Sequence, residues 1–94
     1  MNMSKVSQCQ VTQCAYNIDT ICHALAITVG DSNDPRCDTF IESSRKGGDV
    51  NSIAGVGACK VGSCRFNRSL ECQAQSIVVG YRGENVDCLT FDQK

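Results

Sequence analysis

Short apolar runs that end in glycine are the main hydrophobic pattern of this chain. The segments AITVG (26–30) and SIVVG (76–80) are rich in β-branched residues, which favour strands, and each is closed by glycine. No segment sustains the 3.6-residue apolar period of an amphipathic helix. Two further segments, CDTFI (37–41) and CLTF (88–91), alternate small or polar with apolar residues and suit short partner strands. The pattern therefore predicts a mostly β fold of short strands and loops.

Two tight hairpins are predicted where a cysteine, an aromatic residue and an asparagine precede a second cysteine. These are CAYN (14–17), which leads to Cys22, and CRFN (64–67), which leads to Cys72. Asn17 and Asn67 stand where each turn starts, and asparagine tolerates a positive φ better than most residues. We expect each hairpin to return the chain to its second cysteine.

The hairpins belong to a repeat that covers most of the chain. At an offset of 50, nine of the 22 positions in 9–30 are identical to those in 59–80. One inserted residue then shifts the offset to 51, which aligns the last cysteine and the Thr-Phe pair of each copy. The spacing is C-x4-C-x7-C-x14-C in the first copy and C-x4-C-x7-C-x15-C in the second. A repeated phrase with conserved spacing predicts a repeated structural unit.

The chain divides into a first four-cysteine repeat at 6–42, a linker at 43–57 and a second repeat at 58–94. The linker is rich in glycine, serine and charge, which favours a flexible connection between two units. The alternative is one compact domain in which the copies pack together, with the short apolar segment SIAGV (52–56) between them. The sequence leaves both arrangements open.

A metal or a set of covalent bonds is needed because each unit is small. The chain has 94 residues, no Trp and five aromatic residues, and its apolar fraction of 41% includes eight cysteines. A unit of about 35 residues buries too little apolar surface to offset its ordering entropy unaided. We expect Tyr16, Phe40, Phe66 and Phe91 to supply a small apolar plug behind each group of cysteines.

Charge and hydropathy argue against two classes of partner. A formal net charge of −1 gives no basic footprint for nucleic acid or for an anionic membrane surface. No stretch approaches the roughly 18 apolar residues of a membrane span, and the first residues do not resemble a secretory signal. We therefore expect a cytoplasmic protein with no nucleic-acid or membrane partner, whose partner is a protein that the sequence does not name.

Zinc held by cysteine thiolates is the chemistry that this spacing favours. A structural zinc site takes four thiolates at the corners of a tetrahedron, and each repeat supplies four cysteines with none left over. In a reducing compartment, so many cysteines favour metal over disulfides. We expect two zinc ions, one per repeat, bound by the following residues: Cys9, Cys14, Cys22, Cys37, Cys59, Cys64, Cys72 and Cys88. The fold class predicted is small, metal-stabilised and mostly β, similar to a zinc ribbon or zinc knuckle.

Two other uses of the cysteines stay open. Two disulfides per unit would each stabilise it by a few kcal/mol, and would suit an oxidising surface layer. Iron or an iron–sulfur cluster has partial support, since C-x4-C opens the plant-type ferredoxin spacing, but seven residues and not two then separate the second cysteine from the third. His23 is the one histidine of the chain. It follows Cys22 directly, so on a strand its side chain points to the opposite face, and we expect it beside the site.

Catalysis is not expected from these residues. A closed four-thiolate site leaves no coordination position for water or substrate. The sequence has no phosphate-binding glycine loop, no C-x-x-C redox pair and no set of residues suited to a nucleophilic triad. We therefore expect an interaction or structural module and not an enzyme.

The repeated phrase C-x4-C-[AR]-[YF]-N-x4-C-x-A-x2-I-x-V-G, followed by C-x-T-F, resembles a known family. It is similar to the bacterial family called Domain of Unknown Function 1540, in copies at 9–40 and 59–91 that each carry all four cysteines. The resemblance implies a small cysteine-rich module, and it implies no substrate or reaction. Some relatives are associated with spores. The alternative function is therefore a disulfide-stapled structural protein of a spore coat or another surface layer.

Overall fold

The computed structural model describes residues 3–30 and 34–94 as short strands joined by turns, with no helix in these two ranges. Nine strands follow one another within these two ranges. Their bounds are β1 Lys5–Cys9, β2 Asn17–Ile18, β3 Ile21–Cys22, β4 Ala26–Val29, β5 Gly55–Cys59, β6 Asn67–Arg68, β7 Glu71–Cys72, β8 Ser76–Arg82 and β9 Asn85–Cys88. The predicted mostly β fold is confirmed. None of the described residues forms a helix that is long and apolar enough to cross a membrane.

The main sheet is built from both repeats, in the order β4-β5-β1-β8-β9. Strand β1 of the first repeat pairs in parallel with β8 of the second. Strand β5, which opens the second repeat, pairs in parallel with β4 of the first. Each repeat therefore places its first strand against a strand of the other repeat. The division into 6–42, 43–57 and 58–94 describes the sequence, whereas residues 55–57 of the linker already lie in β5.

Two contacts between the repeats show that they are related by a two-fold axis. Lys5 pairs with Gly55 where β1 meets β5, and these residues are equivalent at the repeat offset of 50. Arg36 pairs with Asp87 in an antiparallel bridge, and these residues are equivalent at the offset of 51. Antiparallel pairing of a residue with its own equivalent is what a two-fold axis requires. The duplicated sequence has therefore folded as a symmetric pair within one chain.

Residues 35–37 join the two edges of the main sheet. The amide of Cys37 donates to the carbonyl of Val86 at 2.8 Å, and the amide of Cys88 donates to that of Pro35 at 2.7 Å, which attaches the segment to β9. On its other side Cys37 forms an antiparallel bridge with Val29 of β4. The sheet therefore closes on itself, which removes the free edges that an open sheet would expose.

The predicted partner strands after the last cysteines are wrong in their bounds. Continuous pairing ends at Cys37 and Cys88, and residues 38–39 and 89–90 form turns. Pairing returns only as single bridges, from Glu42 to Cys14 and from Gln93 to Cys64. The physical reason lies in the two threonines. The amide of Thr28 donates to Thr39 Oγ1 at 3.2 Å, and the amide of Val78 donates to Thr90 Oγ1 at 3.0 Å. A side-chain hydroxyl thus replaces the backbone acceptor that a continuing strand would have offered.

The core inside the closed sheet consists of small side chains. Seven of the twenty buried apolar residues are cysteines, and most of the others are valine or alanine. Ile27 and Ile77 are the largest fully buried side chains, and they occupy equivalent places in the two repeats. The segment at 52–56 contributes Ala54 and Val56, which are buried against both repeats. About a third of the buried apolar residues in the core therefore carry sulfur.

Asp87 of β9 is a fully buried acid where the sheet closes. Burial raises its pKa to about 6, and the hydrogen bond and charge of Asp34 add to this, while Arg82 and Arg36 oppose it. A carboxyl whose pKa is raised on folding stabilises the fold most at acidic pH. That contribution is complete below the usual aspartate pKa of about 4 and is lost as the pH rises through about 6.

Candidate metal centres

The four cysteines of the first repeat line one cavity. Cys9 ends β1, Cys14 lies in the turn before the hairpin, Cys22 ends β3, and Cys37 lies in the closing segment. Their cavity has a volume of about 10 Å³, and its wall includes Val79 and Val86 of the second repeat as well as residues of the first. The structure thus brings together the four residues that the spacing grouped.

The four cysteines of the second repeat line an equivalent cavity of about 20 Å³. Cys59, Cys64, Cys72 and Cys88 hold the same places on β5, the turn, β7 and β9. Val29 and Pro35 of the first repeat complete the wall. A space of 10–20 Å³ holds about one water-sized sphere.

A bulge in each first strand turns the first cysteine inward. Val6 and Cys9 are both buried although they are three residues apart, a spacing that would place them on opposite faces of a regular strand. The register along β8 steps from Val6 to Gln8, which leaves Ser7 as the extra residue. Gly57 is the equivalent extra residue of β5. The extra residue shifts the alternation of side chains along the strand by one position, so the valine and the cysteine both point into the same interior.

An asparagine side chain ties each hairpin to the first cysteine of its repeat. Asn17 Nδ2 donates to the carbonyl of Cys9 at 2.7 Å, and Asn17 Oδ1 accepts from the amide of Thr20 at 3.1 Å. Asn67 makes the same two bonds, to Cys59 at 2.8 Å and from Leu70 at 3.3 Å. These residues fix the hairpin against the strand that carries the first ligand candidate. Sequence reasoning missed this role, although the repetition of both asparagines was the signal for it.

Among the described residues other than glycine, positive φ values occur at the two central residues of each hairpin turn and not at the asparagines. They are Asp19 and Thr20 in the first repeat and Ser69 and Leu70 in the second. Positive φ at both central positions is the pattern of a type I′ turn, which matches the twist of the flanking strands. A residue other than glycine that adopts such a φ stores about 1 kcal/mol or more of backbone strain. The asparagine bonds offset that strain.

We expect Asn17→Ala to destabilise the folded protein by about 2 kcal/mol, because the buried carbonyl of Cys9 loses its donor and the amide of Thr20 loses its acceptor. Chemical denaturation of the metal-loaded protein measures the change in the free energy of unfolding. Asn51→Ala, which removes an exposed asparagine, is the matched control. Equal unfolding midpoints for the two variants would show that the hydrogen bonds of the Asn17 side chain contribute nothing to stability.

Burial favours the protonated form of Cys22 and Cys37 in the first site and of Cys88 in the second, because it raises the pKa of each thiol. It raises the pKa of Cys37 to about 12 and that of Cys88 to about 11, and it also raises the pKa of Cys22. Neighbouring thiolates of the same repeat raise all three pKa values further.

Backbone amides act in the opposite direction on the same thiols. The amides of Ala24, Thr39 and Thr90 aim at the sulfurs of Cys22, Cys37 and Cys88 and lower their pKa values. Once a cysteine has lost its proton to become a metal ligand, such amides stabilise the negative charge on its sulfur by hydrogen bonding.

All eight cysteines are free thiols in the structure. Within 3–30 and 34–94, no three or more His, Cys, Asp or Glu side chains are arranged closely enough to hold a metal ion as they stand. Their donor chemistry nevertheless fits zinc, since the four cysteines of each repeat line one small cavity. Ligation by these eight residues stays a prediction.

The residues around the thiols lie where the sequence placed them. Tyr16 and Phe40 line the first cavity, and Phe66 and Phe91 line the second, so the predicted apolar plug is confirmed. His23 is not part of the first cavity's wall. Its Nδ1 lies 2.8 Å from the carbonyl oxygen of Ser52 in the linker.

The family model described as Domain of Unknown Function (DUF1540) matches residues 8–40 and 58–91, which include both groups of four cysteines. The chain belongs to this family. Each match spans one repeat, so the tandem arrangement inferred from the sequence is confirmed. No curated protein and no solved structure matches the chain.

Proposed function

We propose that this family member is a non-enzymatic zinc-binding protein with one structural four-cysteine site in each repeat. The observation that supports the proposal is the convergence of four free thiols of each repeat on one cavity. Four thiolates complete the coordination of zinc and leave no position for a substrate. The ions would therefore stabilise the fold, and the role of the protein would be as an interaction or structural module.

The proposed partner is another protein, and the proposed compartment is the reducing cytoplasm, where free thiols persist. The main sheet presents no free edge within the described residues, so a partner would bind to loops. Leu25 and Leu70 are exposed apolar side chains of such loops, with 71% and 58% of their surface accessible.

Metal analysis combined with thiol counting tests the proposal directly. Protein purified under reducing conditions should contain two zinc ions, and it should show eight reactive thiols after denaturation with a chelator. Four disulfides and no metal would overturn the proposal in favour of the disulfide-stapled surface protein. A coloured preparation that contains iron would overturn it in favour of an iron site.

Zinc binding should also release protons and strengthen steeply with pH. Because burial raises the pKa values of Cys22, Cys37 and Cys88, these thiols carry protons at neutral pH that the ion must displace. Titration calorimetry in two buffers of different ionisation enthalpy measures the number of protons released. We expect several protons per zinc ion at pH 7, and a value near zero would contradict thiol ligation.

A further inference from the structure

The two cysteine sites are not equally protected, because residues 43–54 of the linker lie against the first hairpin. The amide of Gly47 donates to the carbonyl of Ala15 at 2.9 Å. The amide of Ala54 donates to the carbonyl of Cys22 at 3.0 Å. These bonds attach the linker at both ends of the hairpin that carries Cys22.

Side chains and a further backbone bond strengthen this attachment. Lys46 Nζ donates to the carbonyls of Thr12 at 2.8 Å and Cys14 at 3.0 Å. The amide of Asp49 donates to the carbonyl of His23 at 2.9 Å, while the His23 ring bonds to Ser52. The linker thus holds the backbone at two first-site cysteines, Cys14 and Cys22, and at residues next to them.

The second hairpin has fewer such partners. Ser4, the equivalent of Ala54, donates from its hydroxyl to the carbonyl of Cys72 at 3.1 Å and also bonds to the carbonyl of Ala74. Arg65 and Gln73 are exposed, whereas their first-repeat equivalents are buried or partly buried. Cys72 is the one cysteine of the eight that is partly exposed, and its equivalent Cys22 is buried, with 7% of its surface accessible.

We propose that the second site is the exchangeable one, and that a competing thiolate or chelator enters it first at Cys72. This inference rests on the proposed function. In the exchange, an incoming thiol loses its proton and takes the coordination place of Cys72 Sγ as a thiolate, and Cys72 Sγ takes up that proton as it leaves the ion. No oxidation is involved. The first site resists the same attack because the linker covers Cys22.

Pulsed alkylation of the zinc-loaded chain tests the proposal. The protein with two bound zinc ions is treated with N-ethylmaleimide, together with the chelator 4-(2-pyridylazo)resorcinol, at doses that modify fewer than about one chain in five. Low doses matter because loss of one site is expected to disturb both repeats, so only the first event on each chain is informative. Peptide mass spectrometry should find Cys72 modified at least about tenfold faster than Cys22.

A pair of variants separates linker protection from other causes. The double change Lys46→Ala with His23→Gln should raise the modification rate of Cys22 severalfold and leave that of Cys72 unchanged. Lys5→Ala, which removes an exposed lysine of β1 outside the linker, should change neither rate.

The outcomes distinguish this inference from the proposed function. Chains that bind two zinc ions but show equal rates at Cys22 and Cys72 would overturn the inference and leave the proposed function standing. Unchanged protection of Cys22 in the double variant would overturn the linker as its cause. Chains that take up no zinc would overturn the proposed function and this inference with it.

Discussion

Removal of the proposed zinc ions is expected to unfold the whole chain, with loss of the β signal in circular dichroism and of amide dispersion in NMR spectra. Structural zinc contributes about 10 kcal/mol or more to folding, whereas the net stability of a domain is about 5–15 kcal/mol. The core of this protein has little to replace that contribution. Its fully buried side chains are no larger than isoleucine, and seven of its twenty buried apolar residues are themselves cysteines.

Without a bound ion, the hydrogen bonds to the cysteine sulfurs in the core also become weaker. The structure gathers four cysteines around each cavity and aims backbone amides at their sulfurs. A hydrogen bond from an amide to a charged thiolate is stronger than one to a neutral thiol. The metal-free chain therefore loses coordination energy and part of its hydrogen-bond energy together.

The experiment compares spectra before and after dialysis against a chelator, with the residual zinc measured in the same sample. Addition of two equivalents of zinc should restore the original spectrum, and a sample dialysed with excess zinc present controls for the chelator. An unchanged spectrum after verified removal would defeat the idea that metal builds the fold. Unfolding by a phosphine reductant alone would instead point to disulfides.

The second large effect is expected from Cys64→Ser, which should collapse the amide dispersion of both repeats and not of the second alone. Loss of one of four ligands removes most of the binding energy of that site, on the order of 5 kcal/mol or more. The damage spreads because the strands that end in Cys9 and Cys59 pair with β8 and β4 of the opposite repeat. Each cavity is also walled in part by the other repeat.

The equivalent variant Cys14→Ser provides a symmetric test of the same argument. It should give a similar spectrum, since the two-fold arrangement gives both cysteines the same place in the fold. Ser63→Ala, at an exposed neighbour of Cys64, is the matched control and should retain the native spectrum. Sharp, dispersed first-repeat signals beside a collapsed second repeat would show that the two units fold independently.

Much of the candidate site could be predicted from local sequence. The grouping of cysteines by repeat, the hairpin between Cys14 and Cys22 and the aromatic residues behind the thiols all appear in the structure as expected. These features depend on short-range spacing, which the duplication displays twice. The bounds of the last strands were less predictable, because the hydroxyls of Thr39 and Thr90 end the pairing and an alternating pattern gives no sign of this.

The sequence by itself determined that the chain is mostly β, that its unit is duplicated and that each unit carries its own set of four cysteines. Only the tertiary structure decided that the repeats exchange their first strands and close one sheet around both sites. Strands β1 and β5 have similar patterns, so either could pair within its own repeat or across to the other. That choice depends on long-range packing, as does the contact of the linker with Cys22, and local residue preference carries no information about either.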